Sequence, residues 1–223
     1  MIRIRQIALV ASDFNTAVHD LSTAIDVDVI YRDPGVAQFG LQNALFCIGD
    51  QFLEIVSPIA DNTTAGRLLE KRGGDGGYMA IYDTDNVDEL VANAKQCGVR
   101  FVWEGSVPGI RGHHMHPRDT SGTLVSIDET DVPDEWPWAG KNWRARRTSS
   151  VASGILGFEV AVEDPDASRA RWEELGINHN VHFTGVGARG EGLDVVNLHA
   201  FDPSRHGEEI RSVGVVFRLL DRP

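Results

Sequence analysis

Apolar and polar residues alternate along several short stretches of this chain, a pattern typical of strands with one buried face. Between two of these stretches, apolar residues instead recur at helical spacing. That segment follows Ser12 and Asp13, either of which can cap a helix. The start of the chain therefore predicts the order strand, helix, strand, strand, strand, with the strands at residues 2–10, 27–31, 44–48 and 51–58.

The last of these strands places one carboxylate on an otherwise apolar surface. Phe52, Glu54 and Val56 share one face, and Leu53 and Ile55 share the other. A carboxylate with apolar neighbours is unfavourable unless it has a partner, a ligand or a raised pKa. Glu54 is therefore the first candidate for a functional residue, and the alternative is an inert carboxylate in a structural ion pair.

The same pattern occurs a second time along the chain. Shifting the sequence so that Gln6 falls on Tyr78 also places residues 52–55 on residues 124–127. A repeat of this length indicates two copies of one supersecondary unit, neither of which can cover its own sheet. We expect an α+β fold in which tandem βαβββ modules, at residues 1–60 and 74–130, pair into a curved sheet that encloses a cleft.

A third, looser copy starts where Gly157 aligns with Tyr78, and it predicts a modified βαβββ-like module over residues 150–223. Residues 131–149 form a connector that contains Trp136, Trp138 and Trp143. We expect these tryptophans to attach the connector to the body of the protein, and a lid over the cleft is the alternative.

Two glycine-rich segments resemble phosphate-binding loops at first sight. The segment 185–190 fits the spacing G-x-G-x-x-G, but a strand pattern follows it, and a dinucleotide-binding fingerprint requires a helix there. It is interpreted as a hairpin turn. The segment 73–77 lies where one repeat ends and the next begins, so it is interpreted as a linker.

Composition narrows the range of partners. The 223 residues carry a net charge of −12, which argues against binding to nucleic acid, and no apolar run is long enough to span a membrane. Residues 2–10 read as a strand instead of a signal peptide, and Cys47 and Cys97 lie within apolar stretches. A cytoplasmic protein with a small-molecule substrate is expected, with a homodimer as an open expectation.

Residues 6–13, 49–58, 77–81 and 116–126 together resemble the vicinal oxygen chelate superfamily. This superfamily includes glyoxalases, methylmalonyl-CoA epimerases, extradiol dioxygenases and bleomycin-resistance proteins, and the last segment is most similar to the epimerase branch. The resemblance implies the paired-module fold. It does not specify the reaction, because one fold supports many chemistries.

The resemblance also implies where a metal site would lie. The family commonly places ligands on the first and last strands of each copy, and these positions are occupied here by Gln6, Glu54, Tyr78 and Ser126. Glu54 is the one strong ligand among them, so we expect no tightly bound divalent ion at these four residues. No cofactor is assigned, and a divalent metal elsewhere in the cleft is left open.

The leading hypothesis is a glyoxalase-like enzyme that transfers a proton next to a carbonyl group, as an isomerase, epimerase or lyase does. In this hypothesis Glu54 is the base, and Tyr78 donates a proton or stabilises an oxyanion. The residues expected to bind the substrate are Gln6, Trp103, Arg118 and Ser126.

Two alternatives stay open. His114 and His116 alternate onto one face of a predicted strand, so they could act as general acid or base. With Glu54 they could also form the two-histidine, one-carboxylate set of a non-haem iron dioxygenase. The other alternative is a binding protein of the bleomycin-resistance type, which sequesters a compound without catalysis.

Overall fold

The computed structural model describes residues 1–146 and 148–221. Its first module has the predicted order of one helix and four strands, and each element begins within a few residues of its expected position. The helix α1 starts where expected, because the Asp13 side chain accepts a hydrogen bond from the Thr16 backbone N–H at 3.1 Å. The elements are β1 (Ile2–Val10), α1 (Phe14–Ala24), β2 (Val29–Tyr31), β3 (Leu41–Ile48) and β4 (Gln51–Pro58).

A second helix, α2 (Thr64–Arg72), joins the two modules and was not predicted. The hydroxyl of Thr63 caps its start by accepting a hydrogen bond from the Gly66 backbone N–H at 2.9 Å. Gly73 ends the helix in the left-handed conformation, at a φ of 68°. The segment interpreted as a linker is therefore a helix end followed by the start of a strand.

The second module repeats the architecture of the first. Its elements are β5 (Gly76–Thr84), α3 (Val87–Gln96), β6 (Phe101–Val107), β7 (Ile110–Met115) and β8 (Leu124–Thr130). The two modules form one eight-stranded sheet in the order β2-β3-β4-β1-β5-β8-β7-β6, in which β1 and β5 are antiparallel neighbours at the centre. Each module pairs its first and last strands in parallel. The curled sheet confirms the predicted α+β fold of paired βαβββ modules.

The connector lies against the concave face of this sheet. Trp136 and Trp143 are buried there, and both pack with Phe52. Beneath them the guanidinium of Arg5 lies 5.5 Å from the ring centroids of both tryptophans. It also donates a hydrogen bond to the Asp134 carbonyl oxygen at 2.8 Å. These contacts attach the connector to the sheet.

Residues 150–221 form a second, five-stranded sheet. Its elements are β9 (Ala152–Val162), α4 (Pro165–Leu175), β10 (Val181–Gly185), β11 (Gly192–Ala200), β12 (Glu209–Ser212) and β13 (Val215–Leu220), and the sheet order is β10-β9-β11-β13-β12. The last two residues of the predicted third module lie outside the described residues. The third module is modified as expected, and its strand order differs from that of the first two.

The hairpin predicted at residues 185–190 is wrong. The two strands that this segment joins, β10 and β11, lie on opposite sides of β9 and do not pair with each other. The chain therefore crosses over β9 at this point. No helix follows the glycines, in agreement with the rejection of a dinucleotide-binding motif.

The second sheet and the helices α1, α3 and α4 cover the convex face of the first sheet, and all of them contribute to one large apolar core. Contact between the sheets is close at Gly77 of β5, where an added Cβ would lie 2.5 Å from the Cβ of Leu193. The concave face is therefore left to the connector, to α2 and to the cleft. Within the described part of the chain, no helix has both the length and the apolar character needed to cross a membrane.

Candidate functional site

The concave face holds a cleft of about 510 Å³, bounded by strands of both modules and by the connector. A volume of this size suits a small organic molecule. Five of the residues predicted from the sequence line it: Gln6, Glu54, Tyr78, Trp103 and His114. Three others, His116, Arg118 and Ser126, do not line it.

Glu54 lies in the floor of the cleft, between β1 and β3. Its backbone neighbours are Ala8 and Leu45, and the polar side chains of Gln6 and Asn43 lie diagonally from it on the same face. The amide groups of Gln6 and Asn43 donate hydrogen bonds to its two carboxylate oxygens, at 2.8 and 2.6 Å. The carboxylate predicted from alternation is thus buried and hydrogen-bonded, without an ion pair among the described residues.

Two further hydrogen bonds, on the side away from Glu54, fix the orientation of the Gln6 and Asn43 amides. The indole N–H of Trp136 donates a hydrogen bond to the side-chain oxygen of Gln6 at 2.8 Å. In the same way, the backbone N–H of Asp33 donates to the side-chain oxygen of Asn43 at 2.8 Å. Both of these groups can only donate, so each amide must present its oxygen to them and its NH₂ group to Glu54. We call these five groups, of Trp136, Gln6, Glu54, Asn43 and Asp33, the polar chain.

Burial raises the pKa of Glu54, while the two amide hydrogen bonds oppose this shift and the nearby charge of Asp33 adds to it. Desolvation is the largest of these effects. A carboxyl group whose pKa moves from its ordinary value toward neutrality can serve as a general base at working pH. The raised pKa makes this carboxylate a stronger base than an exposed glutamate.

Tyr78 reaches the cleft because of a β-bulge. The pairing of β1 with β5 shifts between Ala8–Met79 and Leu9–Gly77, so Tyr78 has no partner and lines the cleft together with Met79. Burial, and then the charge of Glu54, raises the pKa of Tyr78 to about 12. The phenol therefore keeps its proton at neutral pH and can donate a hydrogen bond into the cleft.

The opposite wall of the cleft is aromatic. The ring centroids of Trp103 and His114 are 4.5 Å apart, and Phe39 lies 5.8 Å from Trp103. Trp138 of the connector lies 6.4 Å from Trp103. Burial lowers the pKa of His114 to about 3, so its imidazole is neutral and cannot act as an acid near pH 7.

Sequence reasoning missed Asp128, which lines the cleft and is 2% exposed. Its carboxyl group accepts hydrogen bonds from the hydroxyl of Ser126 and, at 2.7 Å, from the indole N–H of Trp138. Burial raises the pKa of Asp128 to about 7 against the effect of these donors. The available signal was alternation along β8, because Ser126 and Asp128 are two residues apart and face the same way.

The predicted roles of Ser126, Arg118 and His116 require correction. Ser126 is fully buried, so it supports Asp128 instead of contacting a substrate. Strand β7 ends at Met115, so His116 lies in the following turn, where its Nδ1 accepts the Arg118 backbone N–H at 3.1 Å. Arg118 is exposed in the same turn, outside the cleft.

This placement also rules against the set of two histidines and one carboxylate. His114 lines the cleft and His116 does not, so the two do not converge on Glu54. Among the described residues, no three His, Cys, Asp or Glu side chains are placed to hold a metal ion. The dioxygenase hypothesis is therefore wrong for these residues.

The four positions that the family resemblance assigned to a metal do not fit a divalent ion either. The side-chain oxygen of Gln6 and both oxygens of Glu54 already accept hydrogen bonds. Tyr78 stays protonated, and the Ser126 hydroxyl donates to Asp128. Glu54 is then the one anionic side chain among the four, so these positions do not supply the set of oxygen ligands that a hard divalent ion takes.

Comparison with curated proteins finds mitochondrial methylmalonyl-CoA epimerases. The bovine and human proteins are each 21% identical to this chain over 130 residues, which cover 57% of this chain and 74% and 73% of those proteins. These matches leave the rest of this chain outside the shared part.

Solved structures give the same result for the fold. A single-residue variant of the Streptomyces coelicolor methylmalonyl-CoA epimerase, in complex with 2-nitronate-propionyl-CoA, matches with a TM-score of 0.52 and 22% identity, over 58% of this chain and 95% of that one. The Mycobacterium tuberculosis epimerase matches with a TM-score of 0.51 and 17% identity, over 58% of this chain and 88% of that one. Identity at this level supports a common fold.

A family model described as a glyoxalase-like domain matches residues 7–176, which span both modules, the connector, β9 and α4. This match confirms the resemblance to the vicinal oxygen chelate superfamily that the sequence motifs indicated, and the relatives place it nearest the epimerase branch. The chain belongs to the glyoxalase-like domain family.

Proposed function

We propose that this protein is an enzyme that moves a proton at a carbon next to a carbonyl group, as an isomerase or epimerase does. The observation that carries the proposal is Glu54, a buried carboxylate with a raised pKa, held by two amides on the floor of a cleft. The epimerase relatives support the same reaction class.

Glu54 would accept the proton from the carbon, and the electron pair of the broken C–H bond would move into the carbonyl group to give an enolate. The Tyr78 hydroxyl donates a hydrogen bond to the enolate oxygen, where negative charge develops. Gln6 and Asn43 hold the carboxylate in place throughout. Return of the proton to the carbon completes the reaction with no net change in redox state.

Asp128 is a second group that can return a proton. It lines the same cleft and holds its own proton up to about pH 7, because its pKa is raised to that value. Two carboxyl groups with different environments can divide the roles of base and acid. If Glu54 removes a proton and Asp128 supplies one to the opposite face, the outcome is epimerisation.

Proton exchange with solvent tests this proposal. The protein is incubated in D₂O with ketones, aldehydes and thioesters that carry a proton next to the carbonyl group, methylmalonyl-CoA included, and loss of that proton signal is followed by NMR. We expect exchange on at least one compound, and Glu54→Gln should reduce its rate by ~10²-fold or more.

The control variant is Glu173→Gln, which makes the same change at an exposed position of α4. Its exchange rate should equal that of the unmodified protein. Exchange that survives Glu54→Gln at full rate would overturn the role of Glu54. Absence of exchange on every compound of the panel would leave the binding function described next.

A second candidate function is sequestration of a small molecule without catalysis. The polar chain favours it, because the hydrogen bonds from the two amides oppose the rise in the pKa of Glu54 and so make the carboxylate a weaker base. In that case the carboxylate would contribute to the affinity for a ligand and to nothing else. Glu54→Gln would then change the dissociation constant of a bound compound, with no turnover to lose.

A further inference from the structure

The residues that line the cleft indicate which kind of ligand it binds, in addition to the reaction class. Its aromatic wall combines Phe39, Trp103, His114 and Trp138, with neighbouring ring centroids 4.5 to 6.4 Å apart. Tyr31 and Tyr78 also line the cleft. Grouped rings of this kind favour a flat partner or a cation, since the face of an aromatic ring carries negative potential.

Three acidic residues line the cleft. They are Asp33, Glu54 and Asp128, and no lysine or arginine is among the described lining residues. Asp33 lies close enough to Glu54 and Tyr31 for its charge to act on both. The histidine in the wall, His114, adds no positive charge because burial keeps it neutral.

Three arginines that could bind an anion lie outside the cleft. Arg111 forms ion pairs with Asp88 and Glu129, and Arg118 is exposed outside the cleft. The charge of Arg67 acts on Tyr78, but its guanidinium donates to residues beside the start of α2, at the Asn62 carbonyl oxygen and the Thr64 hydroxyl. None of the three lines the cleft.

We infer that the ligand of this cleft is a compact aromatic compound that carries a positively charged amine, and not an acyl-CoA. This inference rests on the proposed function in one respect, namely that the cleft is the site at which the protein binds its ligand. An acyl-CoA brings several phosphate groups, which proteins recognise with arginine and lysine. An ammonium group instead finds the charge of Asp33 and the rings of Trp103 and Trp138, which line the same cleft.

A matched set of probes tests the inference by calorimetry at low ionic strength. Phenethylamine and 3-phenylpropionate share a ring and a two-carbon spacer and carry opposite charges, while 2-phenylethanol is their neutral counterpart. Propionyl-CoA represents the thioesters. We expect phenethylamine to bind about tenfold more tightly than 3-phenylpropionate, with 2-phenylethanol between them.

Two variants identify the source of this preference. Asp33→Asn removes the charge at the cleft and preserves an oxygen that can accept the Gly35 backbone N–H, so it should reduce the preference for phenethylamine severalfold. Trp103→Leu should weaken all three phenyl probes. Glu173→Gln changes the total charge by the same amount far from the cleft and should change none of the affinities.

Binding of 3-phenylpropionate or propionyl-CoA as tight as that of phenethylamine would overturn the inference. So would the absence of phenethylamine binding at millimolar concentration. These results are separate from those of the exchange experiment. Glu54-dependent exchange with a preference for anions would refute the inference alone, and a preference for amines without exchange would refute the proposed catalysis alone.

Discussion

At the scale of single residues, Asp128 makes the stability of the protein depend on pH. Its pKa is about 7 in the folded chain and 3.8 for an unperturbed side chain. Between these values the unfolded chain releases the proton and the folded chain keeps it. The free energy of unfolding therefore falls as the pH rises through this window.

Replacing Asp128 with Asn should remove this dependence. The amide can accept from Trp138 and donate to Ser126, whose hydroxyl lies 3.4 Å from the His113 carbonyl oxygen. As the pH rises from the lower to the higher of the two pKa values, the free energy of unfolding of the unmodified protein should fall by on the order of 4 kcal/mol relative to that of the variant. Denaturant unfolding at several pH values measures the difference.

The exposed Asp131 provides the control, since Asp131→Asn makes the same change outside the cleft. Its stability should follow that of the unmodified protein at every pH. Equal pH dependence in the Asp128→Asn variant and the unmodified protein would contradict the assignment of a raised pKa to Asp128.

Alternation predicted the burial of Glu54 correctly, because a strand places every second residue on the same face whatever surrounds it. Asp128 could not be found by the repeat, since its counterpart in the first module is the apolar Val56. The expectation for His116 failed because the strand ends one residue earlier, at Met115. Alternation is informative only within the strand itself.

At the scale of elements, the connector acts on the site through Trp136. Its indole N–H orients Gln6, and Gln6 in turn donates to Glu54. Trp136→Phe would leave the buried oxygen of Gln6 without a donor. We expect a loss of about 1–3 kcal/mol in the free energy of unfolding beyond the effect of the smaller ring.

Trp143 is a matched control, because it is also buried against Phe52 and its indole N–H has no hydrogen-bond partner among the described residues. Trp143→Phe therefore removes the same part of the side chain without breaking a hydrogen bond. Chemical denaturation of both variants compares them directly. Equal losses of stability would mean that the bond to Gln6 contributes nothing.

The helices show how far local signals extend. Asp13 and the helical spacing after it predicted α1, because capping and one apolar stripe are properties of the segment alone. Helix α2 was missed, although Thr63 and Gly73 are suitable residues for its two ends. Its apolar residues Ala65, Leu68 and Leu69 do have helical spacing, but they are three positions in a helix of nine residues, so the periodic signal is short.

At the scale of the whole molecule, the two sheets share one core. Phe158 of β9 is buried with Tyr82 of β5 on one side and Trp172 of α4 on the other, at ring distances of 6.4 and 6.1 Å. Phe158→Ala should lower the free energy of unfolding by about 3–5 kcal/mol. Because the core is continuous, the loss of stability should affect both sheets.

Hydrogen exchange of the backbone amides distinguishes one shared core from two sheets that unfold independently. In the Phe158→Ala variant, the backbone amides of β1 and of β13 should exchange faster by the same factor, since both open in one cooperative event. Faster exchange confined to residues 150–221, with β1 unchanged, would contradict a common core.

The strand order of the second sheet could not be predicted in the same way as that of the first. For residues 1–130 the repeat supplied a complete unit, so pairing in one copy implied pairing in the other. The looser third copy matches only in β9 and α4, and nothing local distinguishes a strand that pairs with its predecessor from one that crosses over. In the structure β10 pairs with β9 and places Phe183 in the core that both sheets share.

The central position of β1 affects the order in which the chain can fold during synthesis. Its neighbours are β4 and β5, so its backbone groups wait for partners until residues as distant as Thr84 have been added. Pairing over such a distance along the sequence is slow. Until β5 has been synthesised, one edge of β1 has no partner strand, and an open edge of this kind can pair with another chain.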